Sequence, residues 1–226
     1  MKRFSTLKQE ARTALRGKWM QFALLSLLLL ILNGVFSLPG TLYSLAFPHV
    51  TPFGWGDGIT LVLSLIYAVV TWGFTVMLLR NLRDPQFDEL GALFDGFRQF
   101  GRIFTTLLLQ FVYTMLWMLL LIVPGIVKAY SYSMTPYILY DRPDLQRNAA
   151  IELSMRMMRG HKMELFLLHL SFIGWFLLCV VTLGIGLLWV IPYVETTVAA
   201  FYEDLKAEYT ETDDNAGEPA DAVTTV

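Results

Sequence analysis

The chain is poor in the residues that most chemistry needs. It has one cysteine and three histidines, and Asp, Glu, Lys and Arg make up only 16% of its 226 residues. The single cysteine, Cys179, excludes an intramolecular disulfide and lies inside an apolar run, where it reads as a small packing residue. His49, His161 and His169 are scattered without the spacing of metal ligands. No Walker loop, dinucleotide glycine pattern, nucleophile elbow or zinc-protease helix occurs. No catalytic residue, cofactor or metal is therefore expected, nothing points to nucleic acid, and the chain reads as non-enzymatic.

What is abundant is apolar surface. Hydrophobic residues form 55% of the chain, against roughly 45–50% in soluble domains, which also carry about 25% charge. The runs at 22–32, 107–123 and 165–183 are nearly unbroken, more than a soluble core of this size can hide. Crossing a hydrocarbon layer of roughly 30 Å takes about 20 apolar residues in a helix. Six segments approach that length: 19–38, 59–79, 103–123, 126–140, 164–183 and 187–202, of which the fourth and sixth are the shortest and most polar. The first run is expected to be retained, since its basic leader is long and 34–40 offers no clear cleavage site.

Charge placement orients these segments. Of 17 basic residues, Lys2, Arg3, Lys8, Arg12, Arg16 and Lys18 precede the first span, and Arg80, Arg83, Arg98 and Arg102 fall between the second and third. Arg142, Arg147, Arg156, Arg159 and Lys162 fall between the fourth and fifth, Lys206 follows the sixth, and only Lys128 is left over. The loop between the first two spans carries Pro39, Gly40, Pro48, Pro52, Gly54, Gly56 and Gly58 but no Lys or Arg. By the positive-inside rule, both termini and all the basic segments are cytoplasmic. Residues 103–141 and 163–205 must then each go out and return, with turns at Pro124-Gly125 and Gly184-Ile185-Gly186.

Arg98 and Arg159, Gly125 and Gly186, Tyr132 and Tyr193, and Thr135 and Thr196 are all separated by sixty-one positions. Arg16-Gly17-Lys18 also resembles Arg159-Gly160-His161-Lys162, so the expected architecture is all-α: a polytopic bundle of three helical hairpins, each preceded by a cytoplasmic amphipathic helix. Residues 1–18 form the first such helix, 19–205 the membrane domain, and 206–226 an acidic disordered tail. In the second helix Phe87, Leu90, Leu93, Phe94, Phe97 and Phe100 share an arc of about 140° on a helical wheel. Such helices suit either a lipid interface, with their basic rims toward anionic headgroups, or packing against the bundle ends. Phe87, Leu90, Phe94 and Phe97 are the candidate interfacial residues.

The candidate intramembrane polar site is Glu195, Lys128, Tyr132 and Thr135. A charge near mid-membrane costs at least about 2–3 kcal/mol. Glu195 is therefore expected to be neutral and bonded to Thr196, Thr197 or a tyrosine of the fourth span, to be ion-paired, or to form a proton or cation site. Lys128 either snorkels to the outer surface or pairs with Glu195. The hydroxyl-rich fourth span, with Tyr130, Ser131, Ser133, Tyr137 and Tyr140, suits helix contacts or a substrate path.

The stretch from Val123-Pro124-Gly125-Ile126-Val127-Lys128 through Ala129-Tyr130-Ser131-Tyr132-Ser133-Met134-Thr135-Pro136-Tyr137-Ile138-Leu139 resembles a bacterial integral membrane family, domain of unknown function 975. The segment 149–162, Thr182-Leu183-Gly184-Ile185-Gly186-Leu187-Leu188-Trp189 and Phe201-Tyr202-Glu203-Asp204-Leu205 carry the same resemblance. It implies a multi-pass inner-membrane protein and transfers no site. The function expected is a scaffold or accessory factor that engages the bilayer, anionic lipid or another membrane protein. A small-solute or ion transporter using Glu195 is the alternative.

Overall fold

The computed structural model describes residues 2–47, 54–84, 90–145 and 147–216. Its first helix, α1 (Phe4–Leu15), carries Leu7, Ala11, Ala14 and Leu15 one helical turn apart, and this stripe is fully buried against α11 (Leu187–Ala216) and α3 (Trp55–Arg83). Gly17, at φ +87°, turns the chain into α2 (Trp19–Ala46). α2 and α3 form a long antiparallel pair, and both outrun the expected spans 19–38 and 59–79.

Pro39 was expected to end α2, yet it lies inside the helix. The neighbouring helix holds the backbone there, for the Gly40 N–H donates to Thr60 Oγ1 at 2.8 Å. Across a close helix contact, proline is tolerated because partners re-satisfy the freed groups. At the start of α3 the Asp57 carboxylate accepts from the Gly54 N–H at 2.9 Å.

After the 3₁₀ turn Leu90–Phe94 and the single turn α4 (Asp95–Arg98) comes α5 (Phe100–Leu120), which pairs with α6 (Ile122–Tyr132); α7 (Thr135–Asp141) follows and packs on α3. Next are α8 (Asn148–Met157), then α9 (Lys162–Leu170) and α10 (Ile173–Val181), which continue one another through a turn at Ser171 and Phe172, and last α11.

Four helices among the described residues are long and apolar enough to cross a membrane, not six: Trp19–Ala46, Trp55–Arg83, Phe100–Leu120 and Lys162–Val181. The fourth expected span, 126–140, is broken into α6 and α7 because Pro136 has no N–H to offer the Tyr132 carbonyl four residues back. Ser154 of α8 repairs the break. Its hydroxyl donates to the Ser131 carbonyl at 2.8 Å and accepts from the Met134 N–H at 3.2 Å. The sixth, 187–202, is the first part of a helix that runs on to Ala216, so residues 206–216 are helical rather than disordered.

The expected turn at Pro124-Gly125 is displaced. The chain reverses at Leu121 (φ −158°, ψ 134°), while Pro124 sits in the first turn of α6, where its missing N–H is harmless. Gly125 instead lets α6 approach α5, since a Cβ there would lie 2.8 Å from Met118 Cα. Between α10 and α11 the chain makes a turn over residues 182–186, with Leu183 at φ +51° and Gly184 at φ +88°.

The second amphipathic stretch is not one continuous helix over residues 90–100. Leu93 tucks inward, while Phe94 and Phe97 are exposed and lead into a stack, with Phe97 to Phe100 at 6.0 Å and Phe100 to Phe104 at 5.0 Å. Phe87 lies outside the described residues.

Burial is uneven along the bundle. The core gathers Leu7, Phe22, Leu79, Ile103, Leu139, Leu165 and Phe201 at one end. The opposite ends of the pairs are apolar and open, with Leu119 81%, Val181 79% and Leu183 93% exposed.

Candidate functional site

At the packed end, charged residues from distant parts of the chain form a belt. The Arg83 guanidinium grips Asp141 with two parallel bonds of 2.7 Å and reaches Glu203 at 2.6 Å. Lys206 Nζ donates to Asp141 Oδ2 at 2.6 Å, and the Tyr202 hydroxyl donates to the same oxygen at 3.0 Å. Each charge stands where an apolar segment ends, so α3, α7 and α11 are tied at one level. Alongside, Arg80 donates to the Tyr140 hydroxyl at 2.8 Å and to Asp95 at 3.0 Å. Arg102 caps the end of α7 by donating to the carbonyls of Leu139 and Leu145.

Burial alone would raise the Asp141 carboxyl, but the bonds from Arg83 and Lys206 outweigh it and hold the group below its ordinary range. Asp141 is therefore an anion at neutral pH, matched by two cations and shared out among three helices. An open cleft of about 450 Å³ adjoins the belt, lined by Thr6, Gln9, Glu10, Thr13, Leu82 and Arg83 among others.

A second cluster lies where α1 meets the bundle. Lys8 Nζ sits 4.2 Å above the Phe172 ring and donates to the Ser171 carbonyl at 3.1 Å. The Arg12 guanidinium lies 5.3 Å from the Tyr193 ring centre. Around Tyr193 stand Phe172 at 5.2 Å, Trp19 at 6.1 Å and Trp175 at 6.2 Å, all edge to face. Desolvation, and then the neighbouring Arg12 charge, push the Lys8 ammonium below its usual value. Of the two placements expected for this helix, a lipid interface or packing against the bundle, the ring contacts of Lys8 and Arg12 accord with the second.

No hydrogen bond or ion pair joins the four residues of the expected intramembrane site to one another. Glu195 is half-buried on α11, eight residues and about 12 Å from Leu187. Its neighbours are not its donors: Thr196 donates to the Pro192 carbonyl and Thr197 to the Tyr193 carbonyl, each at 2.7 Å. Tyr137, stacked on Tyr202 at 5.0 Å, is within electrostatic reach of Glu195. Lys128 lies 5.0 Å from the Trp117 ring centre and 3.9 Å from Met155 Sδ, and makes no ion pair with Glu195. Tyr132 and Thr135 are buried on either side of the α6–α7 break, where the Thr135 hydroxyl finds no partner among the described residues. Of the interfacial set, Phe94 and Phe97 are exposed, and Leu90 opens the 3₁₀ turn.

The class these features define is an all-helical protein with four helices apolar enough to cross a membrane and a charged belt at one end. The chain belongs to the family described as protein of unknown function (DUF975), whose model matches residues 1–131 and 118–209. No curated protein and no solved structure matches it.

Proposed function

We propose that the protein is a non-enzymatic scaffold or accessory factor of the bacterial inner membrane, set into the bilayer as three helical hairpins with the charged belt and both termini on the cytoplasmic side. The observation that carries this reading is the exposed apolar surface at the ends remote from the belt. Monomeric soluble proteins rarely expose apolar patches beyond a few hundred Å². Lipid is the natural cover for branched aliphatic side chains as open as Leu119, Val181 and Leu183.

The belt supports an out-and-back path. A chain leaving it along α5 has returned by Leu139, since Arg102 bonds that carbonyl, and one leaving along α9 has returned by Glu208, 3.4 Å from His161. The hairpin repeat is supported by Gly17 and Gly160, which adopt φ +87° and +95° just before α2 and α9. Transport finds less support, because no hydrogen bond or ion pair joins Glu195, Lys128, Tyr132 and Thr135. Vesicles carrying the purified protein and a trapped pH dye should show the proton leak of protein-free vesicles under an imposed potential, with Glu195→Gln no different. A leak abolished by Glu195→Gln would establish transport instead.

A further inference from the structure

His161 meets a carboxylate at each of its ring nitrogens. Nδ1 lies 3.2 Å from Glu164 Oε2 in the first turn of α9, and Nε2 lies 3.4 Å from Glu208 Oε1 on α11. The two acids stand at opposite edges of the ring, so no single metal ion could bridge both contacts, and the described residues hold no metal-binding group. Protons fit instead. A neutral imidazole has one N–H and one lone pair, so it satisfies one carboxylate and turns a lone pair toward the other. Only the imidazolium attracts both.

The surrounding charges leave this choice to the ring. Arg159 and Lys162 flank it along the chain, and Lys206, two residues before Glu208, is held by Asp141 at 2.6 Å. His161 is also the N-cap of α9, whose positive end opposes a charged ring, so the charged state depends on the two carboxylates. The side chain is 21% exposed and exchanges protons with water. We infer that His161 is a proton-operated fastener between α9 and α11. The charged ring ties the two ends of the third hairpin together; the neutral ring keeps Glu164, three residues along its own helix, and releases Glu208. Histidine changes charge between pH 5 and 8, so the fastener is closed in mild acid and opens as pH rises. What it frees is the arm of α11 beyond Lys206, which carries the partly buried Tyr209. That the proton is a cytoplasmic one rests on the orientation proposed above; the fastener itself does not.

Amide hydrogen exchange of the full chain in detergent micelles, read by mass spectrometry at pH 6 and pH 8 and corrected for the intrinsic pH dependence of exchange, tests the contact. Protection over residues 203–212 should fall about two- to fivefold between the two pH values, the size of a partly exposed ion pair. His161→Gln and Glu208→Gln should each give the lower protection at both pH values, and His161→Lys, charged throughout, should remove the pH dependence. Nitrogen-15 spectra of histidine-labelled protein should show both ring nitrogens of His161 protonated at pH 6, the signals being assigned by their loss in His161→Gln. A wild-type segment indifferent to pH, a response that persists in His161→Gln or Glu208→Gln, or a ring with one proton at pH 6 overturns the fastener. Because the measurement is made in micelles, it succeeds or fails whichever face of a membrane the hairpin ends occupy.

Discussion

Replacing Asp141 with Asn keeps the side chain's size and removes the charge that ties three helices together. The magnitude follows from burial. An exposed ion pair contributes about 0–1 kcal/mol, and breaking a fully buried one costs about 3–5 kcal/mol. The Asp141 side chain is 8% exposed, but its partners Arg83 and Lys206 are 32% and 45% exposed, so both cations can turn to water, and Arg83 keeps Glu203. The expected loss is intermediate, about 2–3 kcal/mol. For a chain of this length that lowers the midpoint of thermal unfolding by about 4–12 °C. Intrinsic tryptophan fluorescence of the purified protein in mild detergent reads it. Because the folded carboxyl is held below its unfolded value of about 3.9, the stabilisation is complete above about pH 5 and fades as pH falls through the depressed pKa. The gap between wild type and Asp141→Asn should therefore be constant at neutral pH and close in acid. In a double-mutant cycle, Arg83→Met combined with Asp141→Asn should cost less than the sum of the two by at least about 1 kcal/mol. Strict additivity, or an unchanged midpoint at neutral pH, would refute the belt as a clamp.

Ser154→Ala should destabilise by about 1–3 kcal/mol, because the Ser131 carbonyl and the Met134 N–H lose their shared partner in a buried site. Chemical unfolding of the purified variant checks this. Gly125→Val should force α6 off α5 and cost about 1–3 kcal/mol by overpacking against the Met118 backbone, whereas Gly58→Ala, with nothing within 4 Å of the new carbon, should be neutral or stabilising in the same measurement.

Much of the architecture is legible in the chain because apolar runs and glycine turns act locally. Residues 165–183 announce a membrane-compatible helix, and Gly184 announces its end. The belt is illegible for the opposite reason. Arg83, Asp141, Glu203 and Lys206 are far apart in sequence and look like ordinary charges at helix ends, and only folding makes them one cluster. The break at Ser133 and Met134 had a signal, Pro136, but in a run of hydroxyl-bearing residues it was absorbed into an unbroken span. Of the donors considered for Glu195, Thr196 and Thr197 are engaged elsewhere, because helix geometry gives their hydroxyls a nearer acceptor in the carbonyl four residues back. For the basic face of α1, lipid and bundle packing were both open, and the rings of Phe172 and Tyr193 that hold Lys8 and Arg12 could not be named because they come from the other end of the chain.

The central claim is that each hairpin leaves the charged belt, crosses the bilayer and comes back. Single cysteines at Gly184 and Leu121, in a chain whose Cys179 is replaced by Ala, should react in intact cells with a maleimide that cannot cross the membrane. A cysteine at Arg159 should react only after the cells are opened. Labelling of Gly184→Cys and Leu121→Cys only from the cytoplasmic side would contradict the account.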